Sequence, residues 1–252
     1  MEEFSKIFDL AGKTALVTGS TQGIGQAAVR CLAAYGAQVF VHGSTSVEKA
    51  QRTVDQIVHG GGSAQCAVAD LSQEGCAQAL FEQTGPVDIL VLNASVQFRR
   101  PWKEIPAEEF HRQVRVNFQS TLELIQLYAP HMVQRGWGRI VTMGSVQQYK
   151  PHKDMLVYAA TKEASMSMVK NLAKQLAPQG VTVNNLSPGV IATPRNEEAL
   201  SDPVYAKQVY AGIPAGYAGL AEDCCGAIVL LCSPAGRYIT GTDLIVDGGM
   251  HL

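Results

Sequence analysis

Apolar residues fall in two patterns along the chain. Seven short runs, rich in Val and Ile, cover residues 14–18, 38–42, 64–69, 89–93, 139–143, 181–186 and 243–246, and several are apolar nearly throughout rather than alternating. Runs of that kind suit parallel strands covered on both faces. Between them, longer stretches with helical spacing cover residues 24–35, 47–59, 76–83, 107–134, 158–176 and 221–232. This alternation predicts an α/β fold: a doubly wound, mostly parallel seven-stranded sheet with helices on both faces and right-handed crossovers. No linker, repeat or low-complexity tract interrupts it, so residues 1–252 are expected to form a single domain. The longest stretch without a clear element, 188–219, is rich in Pro, Gly and Ala. In a compact domain such a stretch is more often functional than connective, and a substrate lid is expected near 190–219.

Composition narrows the function classes. The 252 residues are 46% hydrophobic and 17% charged, with a formal net charge of −2, which excludes a disordered chain. A pI near 6.3 gives no long-range pull on nucleic acid or anionic lipid. No apolar run approaches the roughly 20 residues of a membrane helix. The first ten residues, MEEFSKIFDL, lack the apolar core of a signal peptide. The six cysteines show no C-x-x-C spacing, and reduced, mostly buried thiols of a cytoplasmic protein are expected. For adjacent Cys224 and Cys225, a redox role stands beside the simpler reading of a helix start.

Directly after the first apolar run comes Thr18-Gly19-Ser20-Thr21-Gln22-Gly23-Ile24-Gly25, then a predicted helix. Glycines there let backbone N–H groups approach a pyrophosphate, and the helix N-terminus adds partial positive charge. Strand–turn–helix placement points to dinucleotide binding; a tight turn without a ligand is the plainer alternative. At the end of the second strand stand His42, Gly43, Ser44 and Thr45. A carboxylate there would repel a 2′-phosphate. None is present, so NADP(H) is favoured over NAD(H), although no Arg or Lys lies in the turn. His42 reads equally well as a polar strand end or as a cofactor contact.

Tyr158 and Lys162 are four residues apart and share one helix face. An ammonium near a phenol favours phenolate and suits Tyr158 to exchange a proton with a carbonyl or alcohol. Ser145 follows the fifth strand, at the carboxyl end where ligands of parallel sheets bind. Its hydroxyl is placed to hold a substrate oxygen. Asn117 is an amide among Val114, Val116 and Phe118; a catalytic role and a helix-kinking or capping role both fit it.

Together these pieces resemble the compact short-chain dehydrogenases/reductases over nearly the whole chain. They stand in that family's order: the Gly19/Gly23/Gly25 turn, Asp70-Leu71, Asn93-Ala94, Asn117, Ser145, Tyr158-x-x-x-Lys162, Pro188-Gly189 with Thr193, and Asp247-Gly248-Gly249. The chain is similar to 3-oxoacyl-carrier-protein reductases and gluconate 5-dehydrogenases. The resemblance implies a Rossmann-type fold and hydride transfer between a nicotinamide cofactor and a ketone or secondary alcohol. It implies four catalytic residues: Tyr158 as acid/base, Lys162 lowering its pKa and binding the nicotinamide ribose, Ser145 orienting the carbonyl, and Asn117 holding a relay water. Cofactor contacts are implied at Gly19, Thr21, Gln22, Gly23, Ile24 and Gly25 in the turn and at Gly43, Ser44 and Thr45 after the second strand. Asp70 and Leu71 are implied at the adenine, Asn93, Ala94 and Ser95 along the ribose, and Pro188, Gly189, Ile191 and Thr193 at the carboxamide end. Two departures stand out: Ser95 replaces a usual glycine, and Gln22 is neutral where a basic residue would secure the NADP(H) preference.

Substrate contacts are expected from Ser145, Tyr158 and Gln147, with Arg99 and Arg100 read as solvated charges or as an anion contact. No metal site is expected. Apolar positions Leu122, Ile125, Tyr128, Met132, Met166, Met168, Val169 and Leu172 exceed what one sheet face needs, and with the resemblance they suggest a homotetramer or homodimer. A catalytically silent dinucleotide sensor or scaffold on the same fold is the alternative function; the full set of Asn117, Ser145, Tyr158 and Lys162 argues against it.

Overall fold

The computed structural model describes residues 6–252, leaving out the side chains of residues 198 and 199. Seven strands form one parallel sheet: β1 (Thr14–Val17), β2 (Gln38–Gly43), β3 (Ser63–Val68), β4 (Ile89–Leu92), β5 (Gly138–Met143), β6 (Val181–Pro188) and β7 (Asp243–Val246). Their order is β3-β2-β1-β4-β5-β6-β7, and every pairing is parallel. Strands β4, β5 and β6 are buried at every position; β4 is accordingly apolar throughout, while β5 and β6 also bury polar residues such as Arg139, Asn184 and Asn185. The order reverses between β1 and β4, the switch point where such sheets open a crevice at their carboxyl ends.

Helices cover both faces: α1 (Gly23–Ala34), α2 (Val47–His59), α3 (Cys76–Thr84), α4 (Ala107–Val114), α5 (Ser120–Arg135), α6 (Leu156–Leu176), α7 (Pro194–Ser201), α8 (Pro203–Ala211) and α9 (Cys225–Cys232). One apolar layer packs Val29, Leu32, Val54 and Ile228 against one side of the sheet. The other packs Leu80, Leu124, Tyr128 and Val169 against the opposite side.

The structure departs from the sequence reading in four places. The helix expected over 107–134 is broken by a π-helical segment, Arg115–Gln119, between α4 and α5. The extra residue per turn turns Asn117 inward, where its amide is buried. The 188–219 stretch holds two short helices, α7 and α8, each with proline at its start. The expected 221–232 helix opens with a 3-10 turn over Ala221–Cys224. Finally, Ile125, Tyr128, Met132, Met166 and Val169, taken as surplus for an interface, lie in the core; only Leu122, Met168 and Leu172 stay half-buried.

All six cysteines are free thiols, three buried and three partly exposed. Cys225 starts α9, and Cys31 Sγ lies 4.0 Å from its carbonyl oxygen. No helix among the described residues is long and apolar enough to cross a membrane.

Candidate active site

A cavity of about 530 Å³ opens along the carboxyl ends of the strands. Every cofactor position expected from the sequence lines it, from Gly19 and Thr21 through Thr45, Asp70 and Asn93 to Ile191 and Thr193. Ser145, Gln147, Tyr158 and Lys162 line it too. Asn117 does not.

The glycine turn is shaped by close packing. A Cβ on Gly25 would overlap Asn93 Nδ2 and Gly19 O, and one on Gly19 would come within 2.9 Å of Ala94 Cα. Gly19 and Gly23 have φ of 63° and 57°, the left-handed region that glycine reaches without strain. Asn93 locks the turn from β4: its Nδ2 donates to Thr18 O and Gly19 O, while Thr18 Oγ1 accepts from the N–H groups of Asn93 and Ala94. At the start of α1 no side chain caps the helix and no acidic residue stands in its first turn. Uncapped N–H groups beside a cradle open only to glycine suit a pyrophosphate.

His42 settles as part of the scaffold. It is buried; its Nδ1 accepts from Gly19 N–H at 2.9 Å, and Nε2, which then carries the proton, faces Ala69 O at 2.9 Å. Burial pushes its pKa down to about 4, against the opposing effects of the Ala69 carbonyl and Asp70. At neutral pH it is uncharged with both nitrogens engaged.

On the other side of the crevice, Tyr158 lies in the first turn of α6 and Lys162 one turn later, both buried. The Lys162 ammonium donates to Met143 O at 2.6 Å, and its other donors meet no protein acceptor among the described residues. A buried ammonium with spare donors is costly until an acceptor arrives, which fits a sugar diol. Burial pushes the Tyr158 phenol up, but Lys162, Arg195 and hydrogen bonding with Ser145 and Ser95 outweigh it and hold the phenol below its usual value. Burial also pushes the Lys162 ammonium down, against the pull of the phenolate.

Ser145 is oriented from behind. It caps a 3-10 turn, Val146–Gln148: its Oγ accepts from Gln147 N–H, while its N–H donates to Gln148 Oε1. Ser187 Oγ, which donates to Asp243 at 2.7 Å, lies 3.2 Å from Gln148 Oε1. A Cβ on Gly144 would overlap Asn185, Gln148 and Ser187, so glycine admits this network beneath Ser145. Gln147 Oε1 accepts from His152 N–H, leaving its amide nitrogen to donate. Asn117 Oδ1 accepts from Val96 N–H and its Nδ2 donates to Val96 O and Thr161 Oγ1. Its side chain therefore fixes the loop after β4 against α6.

Sequence reasoning missed two contributors. Gln148 had a readable signal, the Ser-x-x-Gln capping box. Arg195 had none: α7 brings it to Ser95, a position expected at the cofactor, where Nη1 donates to Oγ at 3.0 Å and Nη2 to the carbonyl at 2.7 Å. Ser95 adopts no left-handed backbone, so replacing the usual glycine leaves the loop unstrained. Arg99 ties the same loop to Tyr205 of α8 at 3.2 Å, whereas Arg100 is paired with Glu109 at 2.7 Å.

A family model described as enoyl-(acyl carrier protein) reductase matches residues 19–251. The chain belongs to the short-chain dehydrogenase/reductase family. It is 36% identical to 3beta-hydroxysteroid dehydrogenase 1 of Eggerthella lenta over 97% of this chain and 95% of that one. It is 34% identical to the gluconate 5-dehydrogenase of Gluconobacter oxydans, over 97% and 96%. The NADP-bound 3-oxoacyl (acyl-carrier-protein) reductase of Agrobacterium tumefaciens superposes with a TM-score of 0.93 at 37% identity, covering 96% of each chain. Short-chain dehydrogenases/reductases are oxidoreductases that use nicotinamide dinucleotides, and the glycine cradle, uncapped α1 and Lys162 of this member fit such a cofactor.

Proposed function

We propose that this short-chain dehydrogenase/reductase interconverts a ketone and a secondary alcohol, with NADP(H) as cofactor and Tyr158 as acid/base. The observation that carries the reading is the buried Tyr158–Lys162 pair, with Ser145 beside the phenol, on the wall of the cavity whose far end is the glycine cradle. The bound nicotinamide supplies or accepts the hydride. In reduction, Tyr158 gives its phenolic proton to the carbonyl oxygen, and Ser145 Oγ holds that oxygen in line. In oxidation, the Tyr158 phenolate takes the alcohol proton. Lys162 keeps phenolate accessible and offers its spare donors to the ribose. Asn117 acts as a positioning residue through Val96 and Thr161.

The NADP(H) preference rests on the carboxylate-free Gly43-Ser44-Thr45 turn and on the NADP bound to the Agrobacterium relative. Subunit association as a homodimer or homotetramer, and a cytoplasmic location, remain part of this reading; Leu122, Met168 and Leu172 are the half-buried positions left to an interface. A panel of ketones and secondary alcohols with both cofactors, followed by the absorbance of the reduced nicotinamide, tests the reading. Turnover of at least one carbonyl substrate, with tighter binding of NADPH than NADH, is expected. No hydride transfer to any member would overturn it.

A further inference from the structure

The lid carries a guanidinium that proton transfer does not require. Arg195 stands in the first turn of α7, exposed on the cavity wall. Arg100, Arg115 and Arg135 each have a carboxylate partner. Among the described residues Arg195 has none, and both of its acceptors, Ser95 Oγ and Ser95 O, are neutral. Two of its five N–H donors are engaged, and three remain, enough for a bidentate carboxylate with the Ser95 links intact.

Among the described side chains, none compensates this charge. Asp70 is the one carboxylate among the described residues of the wall, and Arg112 is the arginine whose charge acts on it. Arg99, Lys162 and Arg195 line the remainder without an acid. Arg195 is also near the reacting atoms. It donates to Ser95 Oγ, and Ser95 in turn hydrogen-bonds the Tyr158 phenol on the same cavity wall, so a group bound to Arg195 would lie within reach of the carbon that Tyr158 serves.

We propose that Arg195 is a specificity-determining residue that holds a carboxylate of the substrate, so that the enzyme acts on keto acids and hydroxy acids. This rests on the oxidoreductase reading of the same cavity. The planar fork matches a carboxylate in two parallel hydrogen bonds, each stronger than the neutral bonds to Ser95. Tethering Arg195 to the loop after β4 pre-orders the fork before substrate enters, so less side-chain freedom is lost on binding. An acid seated there cancels the charge of Arg195 at Tyr158. The phenol then titrates at higher pH in the substrate complex than in the free enzyme, an effect that an uncharged ketone lacks.

Binding to the NADP⁺-loaded protein separates this proposal from the reading beneath it. The probes are two pairs that differ only in the acid group: D-gluconate against D-glucitol, and 3-hydroxybutyrate against its methyl ester. In the wild type, the acid of at least one pair binds roughly 10-fold or more tightly than its neutral partner. Arg195→Met removes that preference, Arg195→Lys retains part of it, and neither changes NADP⁺ affinity more than about 3-fold. The proposal is overturned by absence of acid preference in both pairs, including absence of binding. A preference that survives Arg195→Met also overturns it, as does a parallel loss of NADP⁺ affinity, which would assign Arg195 to the cofactor phosphates. Reduction of uncharged ketones without acid preference defeats this proposal alone; acid binding without hydride transfer to any ketone defeats the oxidoreductase reading alone.

Discussion

The Lys162 ammonium stands 5.5 Å from the centre of the Tyr158 ring, and both residues are buried. At that range, away from water, the positive charge stabilises phenolate against a burial effect of opposite sign. Oxidation needs phenolate and reduction needs phenol. Oxidation therefore rises with pH through the lowered Tyr158 pKa, and reduction falls through it. Lys162→Met removes the first cause of the lowering. Its pH profile for alcohol oxidation is expected to shift to higher pH, with kcat down about 100-fold or more. An unshifted midpoint would show that Lys162 does not act through the phenol.

His42 makes stability and cofactor affinity fall in acid. Its pKa is about 4 in the folded protein against 6.5 in the unfolded chain. Between these values the unfolded chain binds more protons. The stabilising effect is thus full above pH 6.5 and lost as pH falls through 4, reaching about 3 kcal/mol. A protonated ring can no longer accept from Gly19 N–H, so in the folded protein the glycine turn loosens and dinucleotide affinity drops only as pH falls through about 4. Chemical denaturation against pH is expected to show a flatter slope between pH 6.5 and 4 for His42→Gln, from a lower starting stability.

Gly25 has no room for a side chain. In Gly25→Ala the new methyl meets Asn93 Nδ2 and the Gly19 carbonyl, so the turn must shift. A loss of about 1–3 kcal/mol in stability is expected, together with at least 10-fold weaker dinucleotide binding. Unchanged binding by fluorescence titration would show that the turn does not hold the cofactor.

Gln148 orients Ser145 without lining the cavity. Gln148→Ala removes the acceptor of Ser145 N–H and the amide oxygen beside Ser187. A fall in kcat of about 10-fold, with NADP⁺ affinity unchanged, is expected from steady-state kinetics and titration. Gln148→Glu should not rescue it, since a second carboxylate would face Asp243, which accepts from Gln148 Nε2 at 3.4 Å.

Much of this architecture is legible in the sequence because the buried strands are short Val- and Ile-rich runs, β4 apolar throughout, set between stretches of helical spacing. The glycine turn and the Tyr158-x-x-x-Lys162 spacing are local features, and the cavity assembles around them. What stayed hidden depends on contacts between distant segments. The π-helical turn at Asn117 exists because its amide reaches Val96 and Thr161, which spacing along one helix does not reveal. Helices α7 and α8 are eight and nine residues long, too short to show an apolar period, although Thr193-Pro194 and Asp202-Pro203 are helix-start signals. The bond between Arg195 and Ser95 spans one hundred positions. Fewer apolar positions of α5 and α6 are left for an interface than helix apolarity suggests, because both helices bury side chains, such as Tyr128 and Val169, in one core layer against the sheet.

The most direct measurement is turnover by Tyr158→Phe, made beside its affinity for NADPH. Loss of the phenolic proton with the ring retained should lower kcat for carbonyl reduction by a factor on the order of 100 to 10,000, while NADPH binds as in the wild type. Reduction at a near wild-type rate, with the cofactor bound, would contradict the assignment of Tyr158 as the proton donor.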